Sequence, residues 1–415
     1  MSALHIGRSF SEIVTSTDQQ SGSVTVERYT TPDNMLADSR FLLGAAAFRS
    51  ATRPVGQFAT VILDEDINWQ PALDQGWEHV GLADHHWRHF RRDGLHVYVL
   101  VLSLYRQGAT ADSKIMHDVF ALASWERFVG TPYHQTAGVS ALTSLRASYD
   151  GAQAQPRWRL MDTNRMLPWE PPARIAEQDY RTHQWRPTVA SGQWDMRGAY
   201  LAAMAAVQLP FRELQPTGPD PTTRKCGYYR VRADKARFPS WVWPAGIDRK
   251  STAWVCQGTL ELVDPKGELE ILDSYTPAAT LTTTGHKRLL RPWAESWRDI
   301  IAAAGQEQSV ISQGPLKWAY AEMIGLMGKP GGTVFRPDWR HMIIDQARAS
   351  LARRILRAGA WGAGTPIRIN RDAVFYKLPD DQDAAEKLIH TLHELLGVGS
   401  KIGNMTFKGI GPWPA

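Results

Sequence analysis

The sequence predicts an α/β (α+β) protein of more than one domain, and three observations carry this. Over roughly the first 150 residues, strand-like runs alternate with helix-like segments, the pattern of an α/β domain. After Pro210 a β-rich stretch is followed by long segments with helical spacing. The chain has 415 residues, 43% hydrophobic residues and 17 Trp, which is too long for one ordinary core and too apolar for disorder.

Charge and cysteine content narrow the class. A net charge of +5 and a pI near 9.1 suit a nucleic-acid binder or an Arg-rich solvated surface. Two cysteines, Cys226 and Cys256, make neither a four-cysteine zinc site nor a disulfide framework, so a reducing cytoplasmic setting is expected. The start, MSALHIGRSFSEIV, lacks a charged-then-apolar signal pattern. The longest apolar run, Leu95 to Tyr105, is too short to cross a bilayer and reads as a buried strand, so no membrane is expected as a partner.

Residues 1–40 are polar and Ser/Thr-rich and read as an N-terminal arm. The run QFATVILDEDINW reads as a strand ending in Asp64, Glu65 and Asp66. With Asp118 downstream, these acids are candidates for a metal-dependent nuclease, or simply solvated strand ends. Asp84, His85, His86, His89 and His96 suggest a metal site. Adjacent His residues on a strand point to opposite faces, however, and Arg88, Arg91 and Arg92 favour a basic surface. Residues 151–185 are rich in Pro, Arg and Trp and read as a packed connector or as a platform for single-stranded bases.

The next stretch, GQWDMRGAYLAAMAAVQLP from Gly192, places Asp195 at a strand end before a tight turn and an Ala-rich helix. A carboxylate so placed suits a divalent metal. CGYYRVRAD reads as a strand, and STAWVCQGTLELVDPKGELEILDSY as a strand or short helix, a turn and a strand. RLLRPWAESWRDIIAAA has helical spacing, with Leu290, Trp293, Trp297, Ile300 and Ile301 on one side. A helix from Pro315 to about Leu326 places Lys317 near its start, where the dipole disfavours a cation unless an anion such as a triphosphate is present. WRHMIIDQARASLARRILRAG is an amphipathic helix. Ile343, Ile344, Ala347, Leu351 and Ile355 form its stripe, and Arg340, Arg348, Arg353, Arg354 and Arg357 form a basic face for solvent or a nucleic-acid backbone. TPIRINRDAVFYKLP reads as two strand halves around Asn370-Arg371-Asp372. Asp372 there serves either a turn or a metal shared with Asp195. A final amphipathic helix, DQDAAEKLIHTLHELLG, precedes a polar Gly-rich tail with Lys401 and Lys408.

The order of these pieces resembles the palm and fingers of family B DNA polymerases, nearest the protein-primed type. Asp195-Met-Arg-Gly-Ala-Tyr200 is similar to that family's Asp-x-x-Ser-Leu-Tyr-Pro motif, keeping the Asp and the Tyr. Lys317 to Gly325 keeps the Lys and Gly of its Lys-x-x-x-Asn-Ser-x-Tyr-Gly motif but not the Asn-Ser or Tyr, and Ala347-Arg348 with Leu351 and Ile355 is similar to the helix after it. Of the third motif, Tyr-x-Asp-Thr-Asp-Ser, only Asp372 is kept. Arg368 replaces an aromatic, Asn370 an acid and Ala373 a hydroxyl. Lys401-Ile-Gly resembles the segment that meets the primer strand.

The resemblance implies an exonuclease-like (RNase H-like) α/β domain over 41–150, palm over 186–284, fingers over 285–358, and palm with a short tail over 359–415. It implies DNA polymerase or nucleotidyltransferase chemistry, with Asp195 and Asp372 holding Mg²⁺ or Mn²⁺ and Lys317 neutralising the triphosphate. Tyr200 would pack under the deoxyribose, with Arg348 and Lys401 as further substrate contacts. Primer-template or single-stranded DNA, dNTP and a terminal or replication protein would be the partners. Little length follows the third motif, so a reduced thumb and a weak hold on primer-template are expected. The eroded third motif also suits a non-catalytic polymerase-fold protein that binds DNA ends or serves replication. Asp64, Asp66 and Asp118 leave a nuclease as a further reading.

Overall fold

A computed structural model describes residues 190–233, 237–243, 252–279, 285–306, 310–329 and 335–412. Before these it describes residues 3–6, 13–17, 24–27, 57–63, 70–74, 76–80, 87–92, 95–101, 129, 137–150 and 179–181. The chain divides into two compact units, Met1–Arg157 with Asp299–Leu326, and Trp158–Arg298 with Met327–Ala415.

The first unit contains β1 (Ala3–Ile6), β2 (Ile13–Thr17), β3 (Val24–Glu27), β4 (Gln57–Leu63), α1 (Gln70–Asp74), β5 (Glu78–His79), β6 (Trp87–Arg92), β7 (Leu95–Val101) and α2 (Ala137–Asp150). Its seven strands form one sheet in the order β3-β2-β1-β4-β7-β6-β5. β4 runs parallel to both β1 and β7, and the other pairings are antiparallel. Part of the stretch read as an N-terminal arm therefore supplies three sheet strands. Its Val, Ile and Thr residues suit a pleated surface despite the polar surroundings. Asp64, Asp66, Asp118, Asp84 and the side chains of His85, His86, His89 and His96 lie outside the described residues.

In the second unit the chain forms β8 (Asp179–Arg181), β9 (Ser191–Met196), α3 (Ala199–Ala206), β10 (Leu209–Pro210), β11 (Leu214–Pro216), β12 (Tyr228–Arg232), β13 (Thr252–Cys256), α4 (Gln257–Val263), β14 (Ile271–Pro277) and β15 (His286–Lys287). Next come α5 (Arg291–Gln306) and α6 (Val310–Met327), most of α6 belonging to the first unit. There α6 packs on α2, where the Gly138 N–H donates to Glu322 Oε2 at 2.9 Å. A Cβ at Gly138 would lie 2.6 Å from the Glu322 Cβ, so only glycine permits that approach. The second unit is completed by α7 (Pro337–Ala360), β16 (Arg368–Asn370), β17 (Ala373–Lys377), α8 (Gln382–Leu396) and β18 (Met405–Gly411).

A five-stranded antiparallel sheet, β18-β9-β17-β16-β8, organises this unit. β8 comes from the stretch expected to be a connector, and β18 from the stretch expected to be a tail. In β18 the apolar residues Met405 and Phe407 alternate with Thr406 and Lys408, a period-2 pattern hidden among glycines. A second antiparallel sheet, β11-β14-β12-β13, buries Tyr229, Val231, Ala253 and Val255 with Trp243 and Leu260 in one cluster.

Helix α7 runs through this unit as its longest element and contacts α3, α4 and α8. Pro337 opens it and Asp338 lies in its first turn, a favourable start for both backbone and dipole. Arg336 pairs with Asp338 in a buried salt bridge, and both Arg336 Nη2 and Trp339 Nε1 donate to the Pro210 carbonyl at 2.8 Å. The apolar stripe expected for this helix is buried. Its basic face divides into different roles. Arg354 and Arg357 donate to the Leu396 and Leu395 carbonyls at the C-terminus of α8, Arg354 also donates to the Gly403 carbonyl in the turn before β18, Arg353 is exposed, and Arg348 turns inward. That α8 end is a natural cation site, because its last carbonyls lack helical partners. Among the described residues, no helix is long and apolar enough to cross a membrane.

Candidate active site

The site is built where β9 ends. Trp194 and Met196 of β9 are buried on one face, and Asp195 between them points to the other, half-buried. Trp194 packs edge-on to Tyr376 of β17 and against Phe407 of β18, so the strand carrying Asp195 is anchored on both sides. Directly beside Asp195 lie Ala373 of β17 and Thr406 of β18. Beyond Met196 the chain turns through Gly198, whose φ of 58° lies in the left-handed region, into α3. Tyr200 thus stands in the first turn of that helix.

The hairpin between β16 and β17 brings Asp372 to the same place. Asn370 pairs with Ala373, and Arg371-Asp372 form the connection. The Met196 N–H donates to the Asp372 carbonyl at 2.9 Å, which ties the hairpin tip to the end of β9. The two acids sense each other. Burial first, and then the neighbouring Asp195 charge, push the Asp372 carboxyl up to about 6. Burial also raises Asp195, while Lys408 opposes that shift.

Lys408 is the site residue that sequence reasoning did not assign. Its Nζ lies 3.5 Å from Asp195 Oδ2. The register slips between Phe407 and Gly409, so Lys408 is the additional residue of a bulge, a device that re-aims a side chain. Lys401 is exposed in the turn before β18, where its carbonyl accepts the Asn404 N–H at 3.0 Å. Lys317 is exposed on α6. That helix begins at Val310 rather than near Pro315, so Lys317 stands within it and not at its start. The dipole argument attached to Lys317 therefore lapses.

Beside the acids, Ala199, Tyr200, Ile344, Ala347, Arg348, Arg371 and Asp372 line a small cleft. Arg348 Nη2 donates to the carbonyls of Trp241 and Trp243 at 3.5 and 3.3 Å, and burial lowers the guanidinium pKa. One turn earlier, Asp345 is buried and accepts the Thr259 N–H at 2.8 Å and the Thr259 hydroxyl at 2.6 Å. Asp345 thereby caps α4, whose own N-cap, Cys256, makes no side-chain cap.

The divalent metal implied by the resemblance can be tested against these residues. Asp195 at the end of β9 and Asp372 in the β16–β17 connection, both partly open to solvent, are the two carboxylates that a divalent cation would meet here. Asn370 stands where another acid was expected, and among the described residues no group of three His, Cys, Asp or Glu could hold a metal ion. The described residues therefore bring two carboxylates to this place and no third acid or histidine beside them.

The helices and antiparallel sheets described above form a mixed fold that can be compared with solved structures. Solved structures similar to this chain are those of phi29 DNA polymerase. One is its ternary complex with primer-template DNA and incoming nucleotide substrates (TM-score 0.51, 10% identity, 99% of this chain and 84% of that chain). Another is its post-translocation binary complex with primer-template DNA (TM-score 0.50, 11% identity, 98% and 84%). No protein-family profile and no curated protein matches the sequence. At this identity the likeness shows the fold alone.

Proposed function

We propose that this protein is a DNA polymerase or nucleotidyltransferase of family B type, which joins a dNTP to a primer 3′-hydroxyl or a protein hydroxyl. The observation that carries this reading is the meeting of Asp195 and Asp372, distant in sequence, at the end of β9 beside a cleft containing Tyr200 and Arg348. Asp195 and Asp372 hold a Mg²⁺ or Mn²⁺ ion, which when bound supplies charge neutralisation and Lewis acidity for phosphoryl transfer. Tyr200 supports the sugar, Arg348 draws the phosphates towards the cleft, and Lys401 contributes a further cationic contact to the primer strand. DNA is the partner, consistent with the DNA held by the phi29 enzyme of similar fold. The order β3-β2-β1-β4, with β1 and β4 parallel, supports an exonuclease-like first domain. Primer extension with dNTPs and Mg²⁺ or Mn²⁺ tests the proposal. Activity is expected in the unaltered protein, and full activity in an Asp195→Ala/Asp372→Ala double variant would sink it.

A second reading is a polymerase-fold protein that holds DNA ends or a replication partner without catalysis. The ion pair of Asp195 with Lys408, together with Asn370 in place of an acid, favours it. This reading expects salt-dependent DNA binding that survives loss of both acids.

A further inference from the structure

Apart from the Asp195 turn, a short ribbon of the second unit gathers charge that the proposed chemistry does not use. β10 and β15 pair antiparallel, Leu209 opposite Lys287 and Pro210 opposite His286. The Gly285 carbonyl continues the ribbon by accepting the Phe211 and Arg212 N–H groups at 3.1 and 3.3 Å. Gly285 has a φ of 74°, and a Cβ there would lie 2.5 Å from the Ala278 carbonyl oxygen, so only glycine fits.

His286 ties a third segment to this ribbon. Its Nδ1 donates to Gln208 Oε1 at 2.5 Å, and its Nε2 accepts from the Thr223 hydroxyl at 3.4 Å. Burial, and then the Lys225 charge, lower the His286 pKa, which places Lys225 near the ring. Residues 208–213, 223–225 and 285–291 thus meet around one buried imidazole.

These three segments contain six Lys and Arg residues and one acid, Glu213. Arg224 pairs with Asp264, and Arg291 with Glu295. Arg212, Lys225, Lys287 and Arg288 are exposed and form no salt bridge among the described residues. Such a local excess of positive charge attracts a polyanion.

Phe211 indicates which polyanion. Its side chain is 38% exposed, and Lys287 Nζ lies 5.8 Å from its ring centroid. An exposed ring flanked by cations offers a stacking face to an unpaired base and charge to the phosphates beside it. A duplex keeps its base faces within its own stack, and an acidic peptide has no need of the ring. Charge and ring together therefore favour a single strand.

We propose that the β10–β15 ribbon is a second contact surface for single-stranded DNA, with a base on Phe211 and phosphates on Arg212, Lys225, Lys287 and Arg288. The proposal rests on the reading of DNA as the partner, and it adds a surface that shares no residue with the Asp195–Asp372 site.

Fluorescence anisotropy of a labelled oligo(dT) with the full chain, in EDTA at low salt, tests the ribbon. Phe211→Ala is expected to weaken binding about five- to tenfold, and Phe211→Trp to retain it. Binding of a blunt duplex of equal length should not respond to Phe211→Ala. An Arg212→Gln/Lys287→Gln/Arg288→Gln variant should lower the slope of log K against log salt by about 2, at roughly 0.7 per phosphate contact on a single strand. All four positions are exposed, and a thermal melt verifies that the variants fold. Unchanged oligo(dT) affinity in Phe211→Ala, or an unchanged slope in the triple variant, would overturn the proposal. So would an equal loss of duplex binding, or displacement of oligo(dT) by poly-glutamate as readily as by unlabelled oligo(dT). Primer extension by a protein whose variants bind oligo(dT) normally refutes the ribbon alone. Ribbon-dependent binding by a protein that never extends a primer refutes the enzymatic reading and leaves the ribbon standing.

Discussion

Replacing Asp345 with Ala removes the seat on which α7 meets α4. Its carboxylate accepts the Thr259 N–H at 2.8 Å and the Thr259 hydroxyl at 2.6 Å, in a fully buried position. Hydrogen bonds to a charged acceptor contribute about 1.5–3 kcal/mol each, and the orphaned donors cannot reach water. Burial raises the Asp345 pKa, which shows that desolvation offsets part of that gain. A net loss of about 3 kcal/mol follows. For a unit of roughly 200 residues this corresponds to a fall in Tm of about 6–12 °C. Calorimetry measures it, and the intrinsic fluorescence of Trp241 and Trp243, whose carbonyls hold Arg348, reports the same region. Asp345→Asn keeps an acceptor without the charge and falls between wild type and Ala. A Tm within about 2 °C of wild type for Asp345→Ala would refute the trans-capping argument.

At Gly258 an added Cβ would lie 2.8 Å from the Gln346 Cα and 2.9 Å from Asp345 Oδ2, so Gly258→Ala forces α4 from α7. It should cost about 1–3 kcal/mol, read as a lower urea midpoint. Asp372 is held at about 6, above its ordinary 3.8, so the folded state binds its proton more tightly than the unfolded chain. Its stabilising contribution is present below the ordinary value and is lost as pH rises through about 6, so wild type loses stability relative to Asp372→Asn across that window. Parallel melting curves for the two proteins from pH 4 to 7 would contradict this. Lys408→Ala frees Asp195 of a competing cation, and Mn²⁺ titration followed by electron paramagnetic resonance should show several-fold tighter binding. Stability should change by no more than about 1 kcal/mol, because the pair is partly exposed.

Much of the second unit was legible in the sequence because its local signals agree. The stripe of α7, the strand halves around Asp372 and the amphipathic pattern of α8 each follow from short-range periodicity. The tail that became β18 was harder to read. Its glycines suppressed a period-2 pattern of only two apolar residues, and the bulge that positions Lys408 is set by pairing with β9. Lys317 illustrates the opposite difficulty, since a proline suggested a helix start that the structure places a turn earlier.

By itself, the sequence determined that Asp195 closes a strand before a tight turn and that Asp372 interrupts two strands, because both are local chemistry. It also determined the apolar stripe of α7, since 3.6-residue spacing depends on neighbours along the chain, but not that residues 341–347 are buried all round, His341, Asp345 and Gln346 included. Only the tertiary structure decided which charges meet. Lys408 rather than Lys401 approaches Asp195, and Arg348 is enclosed instead of facing solvent with Arg353. Asp345, three residues before Arg348, is claimed by Thr259 of another helix. Charge partners are set by sheet register and helix crossing, which join residues separated by 86 to more than 200 positions, and no local pattern in the sequence encodes those distances.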